Sequence, residues 1–119
     1  MNLAKIVQRG WEAVGVGDFD TLVTDYAEEM KFIMPGQADI LKGRQAFRSA
    51  LDGIGEALPP GFEITGLRHI EGGNEVVSIV EWKSDKIVSS QLSVLFKFKG
   101  KKIYEERWFV DTEQWKSAF

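Results

Sequence analysis

Carboxylates are the first residues to ask about in this chain. Its 119 residues hold 18 Asp and Glu, a single His and no Cys. The missing thiols exclude disulfides, thiol nucleophiles and thiolate metal sites. His69, alone among scattered acids, makes no pair at metal-ligand spacing, so neither a metal nor a cofactor is expected. Gly15-Val16-Gly17 is too short for a glycine-rich phosphate loop, and no Gly-x-Ser-x-Gly elbow occurs. What remains is proton transfer by a tuned carboxyl, with tyrosine hydroxyls as donors to a developing oxyanion. The candidates are Glu106, Asp39, Tyr26 and Tyr104.

Those side chains need elements to hold them. Leu3, Ile6, Val7, Trp11 and Val14 recur at helical spacing after Asn2, a candidate cap, and Gly15 and Gly17 end the run. Asp18 caps a second helix with the stripe Phe19, Leu22, Val23 and Tyr26. Phe32–Met34 reads as a short strand stopped by Pro35, and Asp39 sits in the loop beyond. A third helix follows Gly43, with Ala46, Phe47, Ala50, Leu51 and Ile54 on one face.

The period then changes to two. Residues 62–70, 75–83, 87–99 and 102–110 read as strands joined by Gly72-Gly73-Asn74, Ser84-Asp85-Lys86 and Gly100, an antiparallel meander. Asp111-Thr112-Glu113-Gln114 is a capping box for a last helix carrying Trp115 and Phe119. Helices followed by a curled sheet make an α+β fold, and residues 1–119 form one domain. Val76, Val77, Ile79 and Val80 are apolar on both strand faces, and the helices can cover one. A homodimer through the outer sheet face is therefore expected.

A net charge of −3 gives no basic field for nucleic acid, and Lys97, Lys99, Lys101 and Lys102 read as a solvated hairpin tip. Nothing approaches the roughly 20 apolar residues that span a bilayer. The charged start, MNLAKIVQRGWEAV, is no signal peptide, so the cytoplasm is the expected compartment.

Several segments carry a resemblance in their order and spacing. These are Asp18-Phe19, YAEEMKFIMPG (26–36), LKGRQAFRSAL (41–51), VVSIVEW (76–82) and KGKKIYEERWFVD (99–111). Together they resemble the nuclear transport factor 2-like superfamily, in its ketosteroid isomerase and SnoaL-like polyketide cyclase branch. The resemblance covers essentially the whole chain. It implies a cystatin-like cone, with three N-terminal helices packed on a curved antiparallel sheet around a central apolar pocket. It also implies either cofactor-free proton transfer on a carbonyl substrate or plain binding of an apolar molecule or a protein partner.

The isomerase base implied by the resemblance precedes the strand-ending proline, where this chain has Met34, and the final-strand acid of related hydrolases and cyclases falls at Trp108. Strand alternation groups Tyr104, Glu106, Trp108 and Val110, and the resemblance makes that face the inner one. Glu106 is then either a proton carrier with a raised pKa or a rim residue paired with a cation. Tyr26, and Tyr104 with it, are oxyanion donors or core tyrosines. Asp39 is a lid acid or a solvated loop residue.

Asp111 reads as a cap, and His69 as an edge or interface residue. Trp11, Phe32, Met34, Phe47, Trp82, Phe96, Phe98 and Trp108 are expected against the ligand. Whether Trp82 or the pair Glu81 and Lys83 looks inward depends on the register across the Gly72-Gly73 turn.

Overall fold

The computed structural model describes residues 2–35 and 40–119. Asp39 lies outside them. Helices α1 (Leu3–Gly15) and α2 (Phe19–Val23) lead into strand β1 (Tyr26–Ile33). The two-residue β2 (Leu41–Lys42), α3 (Arg44–Leu51) and the short α4 (Ile54–Ala57) follow. Strands β3 (Glu63–Gly72), β4 (Glu75–Lys83), β5 (Ser90–Lys99) and β6 (Lys102–Phe109) precede α5 (Thr112–Ser117). No helix among the described residues is long and apolar enough to cross a membrane.

The sheet order is β2-β1-β6-β5-β4-β3. The last four strands form the expected meander, with Gly73 and Gly100 at positive φ in its tight turns. The sheet is not wholly antiparallel, because β1 joins the free edge of β6 in parallel. No hairpin links these two strands, so nothing forces the antiparallel direction.

The first strand is also longer than Phe32–Met34. Its alternation is interrupted by Glu28, Glu29 and Lys31 and by a register shift against β6 between Tyr26 and Lys31. Tyr26 therefore opens β1 rather than closing the stripe of α2, which stops at Val23.

Caps follow chemistry that is mostly local. Asp18 accepts from Thr21 N–H and Asp111 from Gln114 N–H. Asn2 makes no side-chain cap bond; Glu71 of β3 reaches across to accept from Ala4 N–H instead.

The register settles the faces. Val76, Ser78, Val80 and Trp82 point inward and are buried, while Glu81 and Lys83 are exposed. Leu92, Val94, Phe96 and Phe98 continue the inner face on β5. Helix α1 packs over this face, and its Gly10 lies so close to α2 that a Cβ would stand 3.2 Å from Leu22 Cδ1. The outer face carries Val77, Ile79 and Leu95, half-buried, and Phe109, half-exposed, with no described element of the chain over them.

Candidate functional site

Between the helices and the inner sheet face lies a cavity of about 520 Å³. Helix α1 supplies Val7, Trp11 and Val14; α3 and α4 supply Phe47, Leu51 and Ile54. Tyr26 and Phe32 come from β1, Phe96 from β5, Glu106 and Trp108 from β6, and Trp115 from α5. Met34 and Pro35 line it just past β1. A lining of this kind suits a small apolar molecule. Two acids, Asp25 and Glu106, face the cavity, and no Lys, Arg or His does among the described residues.

Glu106 and Trp108 alternate inward along β6, but an irregularity precedes them. Phe98 pairs with Ile103 while Lys97 pairs with Glu105, so Tyr104 is an extra residue, a bulge. Simple alternation fails across it, and both Ile103 and Glu106 are buried. The expectation that Tyr104 shares the inner face with Glu106 is thereby corrected. Tyr104 does not line the cavity, and its ring lies 5.0 Å from the Lys99 ammonium.

Glu106 is buried, with 6% of the residue exposed. Tyr26 Oη donates to its Oε1, and Trp108 Nε1 donates to its Oε2 at 2.7 Å. Burial raises the Glu106 pKa above the ordinary glutamate value, because removing water penalises the charged form; the two donors favour that form and offset part of the rise. Burial and the neighbouring Glu106 charge together push the Tyr26 hydroxyl well above its usual value. Tyr26 therefore remains a neutral hydroxyl, and the carboxyl is the group in this pair that can change protonation.

Asp25 meets the cavity differently. The Arg9 guanidinium holds it with two bonds, Nη2 to Oδ1 at 2.7 Å and Nε to Oδ2 at 3.1 Å. Its charge is matched, whereas among the described residues no cation pairs with Glu106. Nothing in the sequence marks this pair: the residues are 16 apart, one on a helix and the other just before a strand.

Six of the eight residues expected against a ligand line the cavity: Trp11, Phe32, Met34, Phe47, Phe96 and Trp108. Trp82 and Phe98 do not. Both are buried in the core, where Trp82 packs on Phe62 and Trp115, each at 5.4 Å between centroids. Phe62, Trp115 and Phe119 line the cavity without having been expected there. Trp115 is on α5, and Phe119 lies just past its end, with their rings 6.0 Å apart.

His69 lies outside the cavity. It is turned toward α1, with Nε2 2.7 Å from Gln8 Oε1 and Nδ1 2.9 Å from Ser78 Oγ, and burial lowers its pKa. Ser78 also accepts from Trp11 Nε1 at 3.1 Å, which steadies that ring at the cavity wall. Among the described residues no group of three His, Asp or Glu is placed to hold a metal ion.

Comparison with known proteins agrees with this architecture. The family model of the SnoaL-like domain matches residues 7–106. Bal32a, from a soil-derived mobile gene cassette, superposes with a TM-score of 0.81 at 24% identity, over 98% of this chain and 95% of that one. A protein of unknown function with a cystatin-like fold from Xanthomonas campestris superposes with a TM-score of 0.81 at 20% identity, over 99% and 97%. An NTF2-like protein from Burkholderia xenovorans LB400 gives 0.77 at 18% identity, over 98% and 94%. No curated protein sequence matches significantly. The chain belongs to the SnoaL-like domain family, and its fold is that of the NTF2-like and cystatin-like structures it superposes on.

Proposed function

Starting from membership of the SnoaL-like family, we propose that this protein moves a proton on an apolar carbonyl compound held in the cavity, with Glu106 as the proton carrier and no cofactor. One observation carries the reading: Glu106 is a buried carboxyl facing an apolar cavity, held by two neutral donors and, among the described residues, by no cation.

The chemistry follows from counting polar hydrogens. With Glu106 ionised, Tyr26 O–H and Trp108 N–H both point at the carboxylate. The carboxylate accepts a proton from the carbon beside the substrate carbonyl, and the electron pair of that C–H bond moves onto the carbonyl oxygen as an enolate. Glu106 now carries a proton, so one polar hydrogen becomes spare. It is either the new Glu106 O–H or the Tyr26 O–H, released when Tyr26 accepts from Glu106. That hydrogen is available to the enolate oxygen, and returning the proton to a different carbon of a conjugated enolate completes an isomerisation.

The test is α-proton exchange of a panel of apolar ketones in D2O, followed by NMR. Glu106→Gln is expected to lower the exchange rate by about 100-fold or more while leaving apolar-dye binding in place. If the wild-type chain binds such ketones without exchanging them, the alternative holds: a non-catalytic binder. The engagement of both Glu106 oxygens by protein donors favours that alternative.

A second copy of the chain is the proposed cover for the outer face at Val77, Ile79, Leu95 and Phe109. Sedimentation at micromolar concentration is expected to give twice the 13.4 kDa of one chain. A 13.4 kDa species removes the dimer.

A further inference from the structure

The aromatic side chains at this cavity form a connected series. Ring centroids are 6.3 Å apart from Phe96 to Trp11 and 6.2 Å from Trp11 to Trp108. The series continues at 6.4 Å to Phe32, 5.6 Å to Phe47 and 4.9 Å to Tyr26. Trp108 and Tyr26 are also the two residues that hydrogen-bond to Glu106. A buried carboxyl is thus held between two members of an array of six aromatic side chains. No cation faces the cavity among the described residues, and Arg9, which holds the cavity-lining Asp25, is committed to that carboxylate.

Aromatic faces carry negative potential, and a desolvated cation gains from them. An unmatched carboxylate in the same apolar space adds a full opposite charge. Both features favour one ligand chemistry. From this arrangement we infer that the cavity also binds hydrophobic ammonium compounds, meaning an apolar body bearing a quaternary or protonated amine seated beside Glu106 among Trp11, Trp108 and Phe32. The inference rests on the reading of the cavity as a ligand site. Such a ligand holds Glu106 in its ionised form, so it competes with a carbonyl compound and blocks the proton-donor state.

Benzyltrimethylammonium and its uncharged carbon isostere, neopentylbenzene, separate charge from shape. Each is titrated against a neutral fluorescent dye, N-phenyl-1-naphthylamine, bound to the full chain. Apolar transfer alone favours neopentylbenzene, because burying a cation costs more than burying its carbon analogue. The expected result is the reverse, with the ammonium compound displacing the dye at a concentration at least tenfold lower. Glu106→Gln is expected to abolish that preference while neopentylbenzene still binds. Trp11→Leu, a milder change, is expected to reduce it several-fold.

The inference is overturned if neopentylbenzene binds the wild-type chain as well as or better than the cation, or if the preference survives Glu106→Gln. In either case the cavity still binds an apolar ligand, and the proposed function stands. If the dye does not bind and neither compound does, the reading of the cavity as a ligand site fails together with this inference.

Discussion

Glu105 and Glu106 are consecutive residues of β6 with opposite fates. Glu105 points to the outer sheet face, where Lys97 of the neighbouring strand lies 3.7 Å away and Arg107 of its own strand 3.2 Å. Glu106 points into the cavity, where its partners are a phenol and an indole. Both are largely shielded from water: the Glu105 side chain is 12% exposed, and Glu106 is buried. The difference lies in the partners. Two cations match the charge of Glu105 and keep it structural. Neutral donors leave that of Glu106 open to change, which is what a proton carrier needs.

The sharpest way to break this comparison is to neutralise each acid in turn. Glu106→Gln is expected to lower ketone exchange by about 100-fold or more, and Glu105→Gln by no more than about twofold. Comparable losses from the two would erase the distinction.

Next in size is the support of the buried carboxyl. Tyr26→Phe removes the donor to Oε1, a hydrogen bond to an ionisable group worth about 1.5 to 3 kcal/mol. Urea unfolding should show that loss. The Glu106 pKa should rise further, because a bond that favoured its charged form is gone.

A smaller effect concerns pH. The folded pKa of Glu106 is raised, so the folded chain holds this proton more tightly than the unfolded one. Its contribution to stability is complete below the unfolded glutamate pKa and is lost as pH rises through the folded value. Thermal melts of the wild type and Glu106→Gln across that window should converge at low pH, with the wild type losing ground as pH rises. The least effect is expected outside the cavity. Lys97→Ala removes one partner of Glu105 and leaves Arg107, so unfolding should change by about 0 to 1 kcal/mol.

The meander was legible because Gly73 and Gly100 sit where turns need positive φ, and because the segments between them are rich in β-branched and aromatic residues. The inward aim of Glu106 was legible through alternation combined with family resemblance. Tyr104 was misplaced because a bulge depends on how Phe98 and Ile103 pair across strands, which the residues of β6 alone do not encode. The start of β1 was hidden because Glu28, Glu29 and Lys31 interrupt the apolar pattern. Trp82 was assigned to the correct face but to the wrong role. An inward side chain in this fold enters either core or cavity, and here Phe62 and Trp115 take the lining positions beside it. The Arg9–Asp25 pair joins residues that no local period connects.

The most direct test of Glu106 as an uncompensated carboxyl is a titration of the chain with 13C-labelled glutamate side chains, its signal assigned with Glu106→Gln. Glu106 is expected to titrate above the ordinary glutamate value. A Glu106 that titrates at or below that value would be a solvated or charge-matched acid and would contradict the proton-carrier role.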